Sequence, residues 1–304
     1  MITYDPKDWF TFIFKIHRYE TFRKLIPLMI GVAIYSWIVT YIEFHTFFTL
    51  DAKELTRSIA TIFSILGFTL SLMLVFRTNS AYDRWWEGRK LWGDLTNSNR
   101  ALTSLLNGML SKNDVETRKK IAALISCFAY ALRYHLKGER MSMDYLRNEL
   151  DETYLKDWIE PIAEASSQPM EIYKILVDFI YSNYKSGKLN GEDILLLKPD
   201  LHKFIEVCGA CERIKSTPIP FSYSAFLKKF IFFYVMLFPL IYAIHMSYFI
   251  IPVTLFILYV LTSIELIAEE IENPFNDAPN DLPTFTLAKS ISLNAKNIML
   301  AVAP

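Results

Sequence analysis

The sequence predicts an all-α membrane protein, with four transmembrane helices continued by a cytoplasmic helical bundle. Three observations predict it. Four stretches of 17 or 18 residues contain no Asp, Glu, Lys or Arg, 52% of the 304 residues are apolar, and glycine is scarce at 9 residues. At 1.5 Å per residue, such stretches stand at the short end of what roughly 30 Å of bilayer hydrocarbon needs. An apolar excess of this size, with a mean hydropathy of +0.22, is high for a soluble chain. Scarce glycine and the absence of strand-like alternation speak against β architecture.

The expected spans are residues 25–42, 59–76, 230–246 and 248–264. A helix buried in a soluble bundle would show a polar face at each turn, and 230–246 shows none. Arg23 and Lys24 precede the first span, Arg77, Arg84, Arg89 and Lys90 follow the second, and Lys228 and Lys229 precede the third. Basic residues mark cytoplasmic ends. Both termini and the regions 77–229 and 265–304 are therefore expected in the cytoplasm, leaving outside only 43–58 and a hairpin near 245–247. The last two spans must then run antiparallel. The N-terminus carries Asp5 and Asp8 among Trp9, Phe10, Phe12 and Phe14, without the layout of a cleaved signal.

The cytoplasmic stretch reads as amphipathic helices over 81–110, 114–135, 143–159, 170–184 and 191–214, with breaks at Gly138, Pro161, Pro169, Gly187 and Pro218. Pro199 is expected to kink or restart the last of them. The chain reads as a single domain over 1–304.

Charge and motif content exclude several function classes. The 32 basic and 32 acidic residues cancel, so no global field points to nucleic acid. Three cysteines are too few for a disulfide framework, and the lone Cys208-Gly-Ala-Cys211 lacks the second pair or nearby histidine of a zinc site. His17, His45, His135, His202 and His245 are dispersed, and no cofactor motif stands out. Glu265, Glu269 and Glu272 share one helix face. They suggest, as an alternative, a membrane-embedded carboxylate enzyme or transporter, yet the Glu-x-x-His partners of a di-iron bundle are missing. The same face also suits a solvated helix end with intersubunit salt bridges, or an acidic vestibule. Trp85, Trp86 and Trp92 suit interfacial anchors. Arg77, Arg84 and Arg89 suit snorkelling and intersubunit pairing with Asp83 or Glu87, with the holding of anions as the alternative.

The second span has two kinds of face. Arg57, Thr61, Ser64, Phe68 and Ser71 recur at spacings of 4, 3, 4 and 3, with Ala60 and Gly67 beside them, while Ile62, Ile65, Leu66, Leu72 and Phe76 lie elsewhere. Such a stripe is either a water-contacting wall or a tight helix contact whose hydroxyls bond back to their own helix. Four helices leave no room for a lumen, so a pore also demands an oligomer.

The segment Arg77-Thr-Asn-Ser-Ala-Tyr-Asp-Arg-Trp-Trp-Glu-Gly-Arg-Lys-Leu-Trp-Gly93 resembles the signature of the bestrophin family, particularly its bacterial branch. Cys211-Glu-Arg-Ile-Lys-Ser-Thr-Pro-Ile-Pro-Phe-Ser-Tyr223 and Glu269-Glu-Ile-Glu-Asn-Pro-Phe275 resemble it as well. The resemblance implies a homopentameric channel for inorganic ions in the cell membrane, with no covalent chemistry and no cofactor. The second span would line a narrow neck, with Phe68, Ser64 and Ala60 at three levels and Thr61 and Ser71 beside them. Family members usually carry bulky apolar residues at all three levels, whereas this chain has only Phe68. A cytoplasmic aperture is implied at Ile194. In animal members an acidic run after Asn-Pro-Phe binds calcium, and here Asp277 and Asp281 alone stand there, a weak site at best. Monovalent cations such as sodium are the expected permeant ions, with anions such as chloride the alternative. A scaffold whose cytoplasmic bundle binds partners is a third reading.

Overall fold

The computed structural model describes residues 20–46, 52–145 and 152–300, and among the described residues every regular element is helical. In chain order the helices are α1 (Glu20–Thr46), α2 (Ala52–Met109), α3 (Val115–Lys137), α4 (Glu152–Leu155), α5 (Ile159–Glu164), α6 (Gln168–Lys185), α7 (Gly191–Ser216), α8 (Phe221–Met246), α9 (Ile250–Glu272) and α10 (Thr284–Leu300). The N-terminal aromatics, the side chains of Lys24 and Arg57, residues 47–51 of the expected outer loop and residues 146–151 lie outside the described residues. The chain forms two compact units. One comprises the chain up to Arg84 with Pro218–Glu272, the other Trp85–Thr217 with the segment from Asn273 onward.

Among the described residues, Leu25–Glu43, Ser58–Met109 and Phe221–Glu272 are long and apolar enough to cross a membrane. Their most apolar windows are only 28, 17 and 22% buried within the chain. Apolar helices left this bare need lipid or neighbouring subunits around them. The third stretch is divided by a 3-10 turn, Ser247–Phe249, where Ser247 takes a φ of 49° and reverses the chain. Lys228, near the start of α8, reaches Glu269, near the end of α9, at 2.8 Å. The two helices therefore form the antiparallel pair expected of the last two spans. Tyr35 Oη on α1 donates to the Met236 carbonyl at 2.9 Å and fixes α1 against α8.

The second span and the helix expected over 81–110 form one element. Residues 76–81 contain neither Gly nor Pro, and α2 runs unbroken for 58 residues. Pro199 likewise lies inside an unbroken α7.

The second unit is built around α3, buried from Ile121 to Leu132. Asp114 caps its start, its side chain accepting from Thr117 N at 3.2 Å, and Gly138 ends it at a φ of 79° that suits glycine. Phe128 meets Phe204 of α7 with ring centroids 5.0 Å apart. Leu106 and Trp92 of α2 and Ile291 of α10 complete the buried cluster. The helix expected over 143–159 is interrupted by a 3-10 turn at Lys156–Trp158, and Pro161 sits inside α5 rather than at a break. Trp92 corrects the anchor expectation: it is fully buried in this core and cannot sit at a membrane surface. Trp85 donates from Nε1 to the Asn280 carbonyl at 3.0 Å, while Trp86 is exposed beneath Lys90. The three cysteines are buried free thiols, and burial pushes Cys208 up to about 12.

Candidate pore-lining face and its anchor

Along its apolar part, α2 turns one face to α8. Phe63, Leu70, Leu74, Arg77 and Ala81 are buried, with Gly67 completing the 4-3-4-3-4 spacing of one helix side. The Phe63 ring stacks on Tyr234 at 4.2 Å, and Tyr223 Oη donates to the Met73 carbonyl at 2.8 Å. Gly67 permits the crossing, because a Cβ there would stand 2.5 Å from Tyr234 Oη. Gly67 thus stands at the border of the two faces, beside the hydroxyl stripe and under Tyr234.

The expected stripe lies on another side of the helix. Thr61, Ser64, Phe68 and Ser71 are exposed and Ala60 is half-buried, with Phe68 the barest at 72%. Ser64 Oγ donates to the Ala60 carbonyl and Ser71 Oγ to the Gly67 carbonyl, each at 2.9 Å. Each of these hydroxyls spends its one proton inside the helix, so its oxygen faces outward as an acceptor.

A buried ion-pair cluster anchors the same helix one turn beyond Met73. Arg77, 1% exposed, reaches Glu272 at 2.7 Å and Glu265 at 3.5 Å. Glu272 accepts from Ile219 N at 2.6 Å through Oε1, and its carbonyl accepts from Arg84 Nε at 2.9 Å. Arg77, expected to snorkel or to pair across subunits with Asp83 or Glu87, is instead buried and paired within its own chain. Glu87 pairs instead with Arg213 at 2.6 Å. Glu265, Glu269 and Glu272 are thus each engaged within the chain, Glu269 by Lys228 and the other two by Arg77. No group of three His, Cys, Asp or Glu spaced to hold a metal occurs among the described residues. Carboxylates committed to a guanidinium anchor helices and leave the carboxylate-enzyme alternative without a reaction centre.

Ile194 lies in the first turn of α7, whose start is fixed by a capping box: Asn190 Oδ1 accepts from Asp193 N at 2.8 Å, and Asp193 Oδ2 accepts from Asn190 N at 2.9 Å. Ile194 is half-buried against the core of its unit, whereas Leu195 and Leu196 beside it are 70 and 58% exposed. Asp277 bonds Arg133 Nη2 at 3.1 Å and Lys137 Nζ at 2.8 Å, and its hydrogen bond to Lys137 is the main cause that holds its carboxyl below the usual carboxylate range. Asp281 is buried and accepts from Ala278 N at 2.8 Å, closing its own turn.

Sequence reasoning missed the partner of Arg77 and the role of Tyr234. The signal for both was the regular buried spacing from Phe63 to Ala81, overshadowed by the polar stripe.

The family model described as bacterial/fungal bestrophin protein matches residues 1–297. A voltage-dependent anion channel-forming protein of Nostoc sp. is 29% identical over 98% of this chain and 94% of its own length. The voltage-dependent anion channel-forming protein YneE of Escherichia coli is 28% identical over 90% of this chain and 84% of its own. The crystal structure of a bacterial bestrophin homolog from Klebsiella pneumoniae, in a mutated form, superposes with a TM-score of 0.79 at 25% identity, covering 91% of this chain and 99% of that one. With a family model spanning nearly the whole sequence and the fold shared, the chain belongs to the bacterial and fungal bestrophin family.

Proposed function

We propose that this chain is a subunit of a passive ion channel of the cytoplasmic membrane, five copies surrounding a central axis lined by α2. The single observation that carries the reading is the exposed stripe of Thr61, Ser64, Phe68 and Ser71 on the apolar part of α2, on another side from the face that packs on α8. Phe68 supplies the bulky level of the neck, and Ser64 and Ala60 the narrower-sided ones. A short hydrophobic barrier wets more readily than one bulky at all three levels. Ile194 forms the second constriction, and the two units act together as one channel domain. Basic residues flanking the spans favour both termini in the cytoplasm.

Small monovalent cations are the permeant ions in this reading. Oxygens of Ser64 and Ser71 offer lone pairs to the waters around a cation and no proton to an anion. The relatives' names favour a second reading, in which anions pass. Asp277 serves as counter-ion to Arg133 and Lys137 and not as a calcium ligand.

Reversal potentials in planar bilayers with asymmetric sodium chloride test the proposal. A shift toward the sodium equilibrium potential is expected. A shift toward that of chloride establishes the second reading, and protein that carries no current at all contradicts the channel itself.

A further inference from the structure

A cleft of about 220 Å³ opens between α1, α8 and α9, all within the first unit. Leu28 and Val32 form one wall, Phe232 and Met236 the second, Leu258 and Thr262 the third, and Lys228 stands at one end. The lining is apolar apart from Lys228 and Thr262, whose hydroxyl donates to the Leu258 carbonyl and so presents no free proton to the cleft. The space is too small for a helix about 10 Å across. What fits is one flexible apolar chain with a polar end. Lys228 lines this end of the cleft, paired with Glu269 and within electrostatic reach of Glu265, which Arg77 also holds, and Lys229 follows, exposed, at the next position of α8. The Lys228–Glu269 pair is half exposed on both sides, and such a pair is weak enough for a phosphate to compete for the ammonium. Both lysines stand where the apolar run of α8 begins, the depth at which headgroups lie.

We propose that this cleft binds one acyl chain of an anionic phospholipid whose phosphate rests on Lys228 and Lys229. The inference rests on the membrane placement of these helices and not on which ion passes or whether one does.

Native mass spectrometry of the full chain extracted from vesicles of equal parts phosphatidylglycerol and phosphatidylcholine tests it. Phosphatidylglycerol should be retained over phosphatidylcholine. The double variant K228Q/K229Q should lower that retention about 30-fold, some fivefold per lysine. Glu269→Gln, which frees Lys228, should raise it, and Thr262→Phe, which fills the cleft, should release both lipids. Equal retention of the two lipids, or retention unchanged in K228Q/K229Q, overturns the proposal. So does displacement of bound lipid by inorganic phosphate alone, because the headgroup contacts would then act without the cleft. The lysines lie on the surface, so their variants keep the test valid even where Thr262→Phe does not fold. Loss of ion current with lipid retention intact would count against the channel reading and leave this one standing.

Discussion

Replacing Arg77 with Met should be among the most damaging single changes in the membrane unit. Arg77 and Glu265 are 1 and 2% exposed, and Glu272 is 13% exposed. Removing the guanidinium strands at least one carboxylate without a counter-charge in a region that water does not reach. Breaking a buried pair from one side costs about 3–5 kcal/mol. At about 2–4 °C per kcal/mol for a domain of this size class, the melting midpoint should fall by on the order of 10 °C. Much of that loss belongs to the stranded charge, so the double variant R77M/E265Q should recover more than half of it. Glu272 would keep Ile219 N as a partner. Lys228→Gln is the control, since its pair with Glu269 is half exposed and surface pairs contribute about 0–1 kcal/mol. Fluorescence-detected size-exclusion after heating reads all three. An Arg77→Met midpoint within 2–3 °C of the control, or a double variant worse than the single, refutes the reasoning.

Gly67→Ala should destabilise despite the better helix propensity of alanine, because the new Cβ meets Tyr234 Oη at 2.5 Å and the ring is held by Phe63. Tyr234→Phe in the same chain should rescue it, as thermal midpoints will show. Lys137, with Arg133 beside it, holds the Asp277 carboxyl below its ordinary 3.8. The stability this lends is complete above that value and disappears as pH falls through the lower folded pKa, so Asp277→Asn should flatten the acid limb of a stability profile below about pH 4. Ser64→Phe, which restores bulk at the middle neck level, should reduce single-channel conductance, and an equal or larger current contradicts the assigned level. Burial of Cys127, Cys208 and Cys211, with all three thiols pushed up in pKa, should leave the folded protein unlabelled by maleimide at pH 8.

The apolar spans were legible because bilayer length and the absence of charge are strong signals, and the antiparallel pairing of α8 and α9 followed from the basic flanks. The exposed stripe on α2 was legible by period. The role of its neighbour Gly67 was not, because a small residue reads the same whether it faces water or admits a tyrosine from the next helix. Arg77 and its glutamates were misassigned for a related reason. The chain separates Arg77 from Glu265 by nearly two hundred residues, and no sequence signal joins the two. Trp92 read as an interfacial anchor with Trp85 and Trp86, whereas two turns beyond Trp85 on the same side of α2 it is closed into the core of the second unit. Ile194 was named from motif register, and the exposure of Leu195 and Leu196 beside it is a property only the folded helix reveals.

Cysteine accessibility along α2 tests the central claim most directly. With the native thiols buried, Thr61→Cys, Ser64→Cys and Ser71→Cys each place one reactive thiol on the stripe, and Ile65→Cys places one on an exposed apolar side of the same helix. A bulky, charged, water-soluble thiol reagent added during bilayer recording should cut the current at the three stripe positions and leave Ile65→Cys unaffected. Current that persists at Thr61, Ser64 and Ser71, or that falls equally at Ile65, would mean that ions do not pass along this face.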